Sequence, residues 1–215
     1  MEYKLIRSQR KTIAIKIIPT CEIIVLAPKK CSLNFINEFL KSKTIWIQKT
    51  IQNIQQKNHQ LNKFNQLEKT ILFGQEFDII DCINHYEIAN YYIKHTKASN
   101  KQKIIKQFYI KLANEYLINK TQKLANSLNL NYKNIKIISA RKKWGSCNNL
   151  KEIKLNFRLI MLPENLINYV ICHELCHLKQ MNHSKQFWSL LESLGYKKTI
   201  VKQNFINYNF VLQLL

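Results

Sequence analysis

Arginine is scarce in this chain: only four of its 34 basic residues are Arg and the other 30 are Lys. The guanidinium fork is the side chain best suited to reading phosphates, so a net charge of +21 carried on lysine is weak support for specific nucleic-acid recognition. The 24 Asn, together with abundant Lys and Ile, fit a base-composition bias in which part of the charge is solvated surface. The field itself still attracts polyanions in a salt-dependent way, so weak nucleic-acid association through the basic surface stays among the expected partners. No run approaches eighteen apolar residues, which excludes a membrane-spanning helix. The first twenty residues carry charges throughout and show no secretory signal, so the expected location is the cytoplasm. Cys21, Cys31, Cys82, Cys147, Cys172 and Cys176 show no C-x-x-C spacing and are too sparse for a disulfide scaffold, which fits free thiols in a reducing compartment.

What is present is enough for a proper core: 215 residues, 46% hydrophobic and 11% aromatic, allow one domain or two small ones. Residues 12–18 and 22–27 read as two strands joined by a turn at Pro19 to Cys21, and Pro28 ends the second. From Ser32, a suitable N-cap, to about Gln56, apolar residues recur at helical intervals, with Trp46 read as a packing residue. Residues 57–69 are polar and read as a connection; β-like runs follow at 70–73, 76–80 and 85–94, the first two broken by Gly74. His59, His85 and His95 have no second ligand at a useful spacing and read as ordinary polar residues. The charged stretch at 97–103 suggests a boundary between halves, 1–98 and 99–215. Beyond it, Ser99 or Asn100 can cap a helix to about Ser127 whose lysines form a basic ridge or a plain solvated face. Residues 133–140 and 152–160 then read as a strand pair around R-K-K-W-G-S-C-N-N.

The chemistry concentrates in H-E-L-C-H at 173–177. Four helical residues turn about 400° and rise about 6 Å, so His173 and His177 project from one face and can share a cation. Glu174 points to the same side but reaches a metal less easily, which suits a base acting on a water at the open position. The segment should be helical: Pro163 fits the first turn, Glu164 complements the positive end, and Leu166, Ile167, Val170, Ile171, Leu175 and Leu178 keep helical spacing. His183, six residues past His177, would point about 240° away and lie about 9 Å along a continued helix. It joins the pair only if the chain turns back, for which a left-handed Asn182 cap is the candidate; otherwise it is a surface histidine. Three imidazoles and a water make the open tetrahedral site of a catalytic zinc.

After His183, a helix should run from Ser184 to Gly195 and brace the loop, and 198–213 should form a last amphipathic helical segment. Glu192 is a candidate acceptor behind a ligand imidazole or a plain exposed carboxylate. Cys172 and Cys176 are rotated about 100° from the histidines and read as packing residues. For the oxyanion, Tyr196, Tyr208, Arg141 and Lys143 are all open candidates, and Trp144, Ser146 and Asn156 are the strand-pair side chains of interest.

The block H-E-L-C-H-L-K-Q-M-N-H-S-K-Q-F-W at 173–188, preceded by R-K-K-W-G-S-C at 141–147 and K-L-N-F-R-L-I-M-L-P at 154–163, resembles the YgjP-like metallopeptidases, relatives of the WLM and SprT-like zinc proteases. The basic alternating segment at 7–17, V-L-A-P at 25–28 and W-I at 46–47 agree with it. Two departures stand out: the family commonly has a glycine in the turn at 19–21 and an Ala at the position of Cys176. The resemblance implies a zinc-dependent peptidase acting on protein or peptide, with one Zn2+ per chain held by His173, His177 and His183 and with Glu174 as catalytic acid/base. The fold it implies is α+β: a small N-terminal β-sheet with a long helix, then a minimal zincin-type domain of helices, an antiparallel β-hairpin and the metal helix. Two rival readings remain at this level, a basic nucleic-acid-associated protein with a vestigial or structural zinc site and an inactive zincin serving as an interaction module.

Overall fold

Ile23, Val25 and Ala27 alternate along one strand, and all three side chains turn inward. In this computed structural model, which describes residues 1–94 and 100–215 and only the backbone of Lys202, that strand centres the first of two compact units, Met1–Asn62 and Lys63–Leu215. His95 and the residues up to Ser99 lie outside the described residues.

In the first unit, β1 (Lys4–Ser8) runs parallel to β3 (Ile23–Pro28), and β2 (Ala14–Ile17) pairs antiparallel on its other side. β1 is an addition to the two strands expected from sequence. Arg7 fastens it: its guanidinium donates to the carbonyls of Pro28, Lys29 and Cys31 at 3.1, 3.0 and 2.7 Å. The β2–β3 turn places Cys21 at φ 68°, a left-handed position that glycine occupies without steric cost. The inward face of β3 packs on Ile36 and Leu40 of α1 (Leu33–Ser42) and Ile47 of α2 (Thr44–Asn65). Ser32 caps α1 as expected, its Oγ accepting from the Phe35 N–H at 3.2 Å.

The single helix expected over 32–56 is in fact two, parted at Lys43, whose N–H bonds back to the Leu40 carbonyl. The second continues to Asn65, well into the segment expected to be a connection, because Gln and Lys propagate a helix well even without an apolar stripe. Trp46 is 49% exposed, which corrects its reading as a packing residue.

The second unit begins with a meander of β4 (Lys69–Leu72), β5 (Gln75–Asp81), β6 (His85–Ile88) and β7 (Tyr91–Lys94). The run at 85–94 is a hairpin, not one strand, since Ala89 turns left-handed at φ 54°. The two compact units part between Asn62 and Lys63, and the β4–β5 turn shows what holds the meander in the second. The N–H groups of Phe73 and Gly74 donate to the carbonyls of Ile160 and Met161 at 2.7 and 3.2 Å, joining the meander to the segment that leads into the histidine helix. A β-carbon on Gly74, whose φ is 81°, would meet Pro163 Cγ at 2.7 Å.

α3 (Lys101–Ser127) starts at Asn100, whose Oδ1 accepts from the Lys103 N–H at 3.0 Å. Its buried face, Ile105, Tyr109, Ala113, Leu117, Thr121 and Ala125, advances in four-residue steps. The helix packs against α4 (Glu164–Cys176) and against the 3-10 turn Phe157–Met161.

The expected strand pair is a three-stranded sheet. β10 (Glu152–Asn156) lies in the middle, parallel to β8 (Asn134–Ile138) and antiparallel to the short edge strand β9 (Gly145–Cys147). Residues 157–161 leave the sheet as a 3-10 turn, and all five are buried. Arg158 within it is 1% exposed and donates to the backbone carbonyls of Leu214 and Leu215. With Arg7 committed likewise, two of the four guanidiniums serve the fold, and nucleic-acid association draws no support from them. After α4 come α5 (Lys185–Ser193) and α6 (Lys198–Ile206). The last segment, expected to be one helical stretch over 198–213, breaks after Ile206 and resumes as the 3-10 turn Asn209–Gln213. The architecture is α+β, small sheets with helices packed beside them.

Candidate metal centre

Pro163 is the N-cap of α4 rather than part of its first turn, and Glu164 follows at the positive helix end, where its carboxylate bonds Lys120 and, at 3.2 Å, Tyr116. Further along the helix, His173 and His177 project toward Phe187 of α5, while Glu174 lies against Gly145 of the edge strand β9. The helix then closes tightly: the N–H groups of Lys179 and Gln180 both reach the Cys176 carbonyl at 3.0 Å. This tightened end, not a left-handed Asn182, turns the chain back, since Asn182 is not among the residues of positive φ. Ser184 caps α5 by accepting from the Phe187 N–H at 3.4 Å, and His183 comes to rest just before it.

The return brings the third imidazole home. His183 Nε2 lies 3.0 Å from His173 Nε2, and one ring nitrogen from each of His173, His177 and His183 falls within 4.8 Å of the others. Among the described residues this is the one cluster of three or more His, Cys, Asp or Glu with such proximity. Phe187 supports all three rings at centroid distances of 4.9, 4.6 and 4.7 Å, and Trp188 stacks on His183 at 5.6 Å. His177 Nδ1 faces the Gln180 carbonyl at 3.1 Å, so it carries the proton and leaves the Nε2 lone pair free. Tyr169 Oη, one turn before His173, stands 3.5 Å from that ring's Nδ1.

Electrostatics prepares the same nitrogens for a cation. Burial, followed by the proximity of His177 and His183, pushes His173 down to about 3, and burial also lowers His177. Both rings are therefore neutral near pH 7, the form a metal requires. Glu174 is 5% exposed, and burial pushes its carboxyl up to about 8 against the opposing pull of Lys143. Its Oε2 is buried with no hydrogen-bond partner in the protein. Neutral imidazoles and an orphaned carboxyl oxygen are what a divalent ion and its water would satisfy, so the residues present fit a metal.

A family model, the YgjP-like metallopeptidase domain, matches residues 11–203. The chain belongs to the YgjP-like metallopeptidase family. It is also similar to the metallopeptidase zymogen of Methanocaldococcus jannaschii jannalysin, at 27% identity over 46% of this chain and 97% of that one, with a TM-score of 0.37. It matches none of the curated proteins with which it was compared. Membership makes this a metallopeptidase domain, and with it comes the expectation of a bound metal ion.

The YgjP-like site extends onto β9. Gly145 passes directly beside Glu174, and Lys143, just before it, donates to Ser146 Oγ at 3.2 Å. Asn156 is fully buried and structural: its Nδ2 donates to the carbonyls of Ala140 and Lys143 at 2.5 and 2.9 Å, which fixes the loop that presents Trp144. Tyr196 is engaged by Tyr169, ring centroids 5.6 Å apart, and by a side-chain bond to Cys172. Lys143 is the oxyanion candidate that acts on Glu174. Cys172 and Cys176 are buried with Phe187 and Leu191, the packing role expected of them. Cys147 is half-buried, and burial, with a further push from Glu174, raises its thiol to about 11. Glu192 is exposed, and the groups facing the Nδ1 atoms of His177 and His173 are instead the Gln180 carbonyl and Tyr169. Tyr169 was missed in the sequence, although its place four residues before His173 was a usable signal.

Proposed function

We propose that the chain is a zinc-dependent peptidase in which His173, His177 and His183 hold the ion and Glu174 is first general base and then general acid. One observation carries this reading: three imidazole nitrogens lie within 4.8 Å of one another beside a buried carboxyl group that has an unpartnered oxygen. An all-nitrogen set of three suits zinc, whereas calcium and magnesium call for oxygen ligands. When bound, zinc supplies Lewis acidity that polarises the substrate carbonyl and makes water easier to ionise. Once ionised, the form that the positive charge of a bound ion and of Lys143 favours, Glu174 accepts a proton from the attacking water as the new C–O bond forms. It then delivers that proton to the amide nitrogen as the C–N bond breaks, releasing an acid and an amine. Lys143 supplies positive charge close to this carboxylate.

An extended substrate fits as an added strand on the free side of β9, whose other side is taken by β10. Gly145 keeps that edge close to Glu174. None of the described helices is long and apolar enough to cross a membrane, in keeping with a cytoplasmic peptidase.

The test compares zinc content and casein proteolysis for the wild type and Glu174→Gln. About one zinc per chain in both, with turnover lost only in the variant, is the expected result. Wild-type protein that holds zinc yet cleaves no unfolded protein would leave an interaction module with a peptidase fold. Failure to hold zinc would end the proposal.

A further inference from the structure

Beside His173 and Glu174 lies a cleft of about 520 Å³, within the size range of pockets that bind small organic groups. Its walls are mostly aromatic and aliphatic: Trp144 from the loop before β9, Tyr169 from α4, Trp188 from α5, and Val201 and Phe205 from α6. Phe205 packs against both Trp144 and Tyr169, at centroid distances of 5.8 and 5.7 Å, so one wall is a continuous run of rings. Four segments of the chain supply these side chains, and Glu174 lines the same cavity.

Charge in the cleft is one-sided. Apart from His173 and Glu174, the ionisable residues lining it are Tyr169 and Lys198. Lys198 is exposed, and its Nζ stands 4.1 Å from the centre of the Trp188 ring. A cation at that position repels an incoming ammonium or guanidinium, while the rings give an apolar side chain a dry, stackable surface.

We propose that this cleft is the specificity pocket of the peptidase, and that it selects a bulky apolar, preferably aromatic, side chain flanking the scissile bond while rejecting basic ones. The inference rests on the peptidase reading of the site, since it takes the neighbouring Glu174 as the residue that marks where the bond is cut. Tyr169 and Phe205 are the determinants that stack, and Val201 sets the depth.

The test reads binding rather than turnover. Zinc-loaded Glu174→Gln protein, with Trp46→Phe added, keeps tryptophan only at 144 and 188, both in the cleft, so intrinsic fluorescence reports occupancy. It is titrated with blocked alanine pentapeptides whose central residue is Phe, Leu, Lys or Ala. The Phe peptide should bind about tenfold or more tighter than the Ala peptide, with Leu between them and Lys no tighter than Ala. Val201→Phe, which fills the cleft, should bring the Phe-to-Ala ratio near one, and Phe205→Ala should reduce it about tenfold. Equal affinity for all four peptides, tighter binding of the Lys peptide, or an unchanged ratio in a zinc-loaded Val201→Phe protein would overturn the proposal. If both wall variants fail to fold, the four-peptide series alone decides. Because no cleavage is needed, a Phe preference without wild-type proteolysis would sink only the peptidase reading, and proteolysis without a preference only this one.

Discussion

Gly145 and Glu174 are in such close approach that a β-carbon at position 145 would stand 2.7 Å from Glu174 Oε1 and 2.9 Å from its Cγ. The glycine is therefore required by the space the carboxyl occupies, not by a turn. Gly145→Ala must displace either the edge strand or the carboxyl. A displacement of about 1 Å at a catalytic group can cost about 10²-fold in rate. Activity should fall by that order while zinc content stays at the wild-type level, as read by metal analysis beside a proteolysis assay.

The buried carboxyl also makes the metal-free protein sensitive to base. Its folded-state value, about 8, exceeds the ordinary value of 4.5, so the folded state holds a proton that the unfolded state has released. The stability contributed by the neutral form is complete below about 4.5 and is lost as pH rises toward 8. His173, pushed down to about 3, works in the opposite sense at lower pH, stabilising the fold as pH climbs from about 3 through 6.5. The interval from about pH 7 to 8 thus isolates Glu174. Chelator-treated protein should lose melting temperature across it, with a slope of up to about 1.4 kcal/mol per pH unit, and Glu174→Gln should flatten the slope.

Phe187 touches every imidazole of the triad, which makes it the common support of the centre. Phe187→Leu keeps the site apolar and most of the volume but removes the flat face against His177, whose ring is stacked on it with an interplanar angle of 29°. Zinc affinity should drop by about 10-fold, the low end for residues that orient ligands, with little change in far-UV circular dichroism. Competition against a chromophoric chelator measures it.

Arg158 is buried and reaches the carbonyls of Leu214 and Leu215 with Nε and Nη2 at 2.5 and 3.0 Å. Its guanidinium also covers the Phe157 ring at 4.4 Å. Lysine has a single donor centre and cannot make both bonds in the same plane. Arg158→Lys should destabilise the protein by about 2–4 kcal/mol, since bonds to a charged group each contribute about 1.5–3 kcal/mol and one is lost with its stacking. Urea denaturation checks this.

Much of the site was legible because it is local. The H-E-L-C-H spacing sets two histidines and a glutamate on one helical face, and Ser184 announces the next helix through a side-chain cap. Local rules failed where neighbours distant in sequence decide. Residues 157–160 read as strand but belong to a buried 3-10 turn, and Trp46 read as core but is exposed. The Phe73 and Gly74 amides tie the meander to residues 160 and 161, a link that no local pattern shows. Glu192 drew notice as a carboxylate, while the neighbours of the imidazoles turned out to be a backbone carbonyl and Tyr169.

By itself the sequence determined the ligand-bearing helix, the Ser184 cap that follows the histidine loop and the family motif, since each depends on residues within a few turns of one another. Tertiary structure alone decided that His183 returns to within 3.0 Å of His173, that Glu174 is enclosed by an edge strand, and that rings from four separated segments wall one cleft. Side-chain spacing along a helix is fixed by 3.6 residues per turn, whereas burial and the approach of distant segments arise only once the chain has packed.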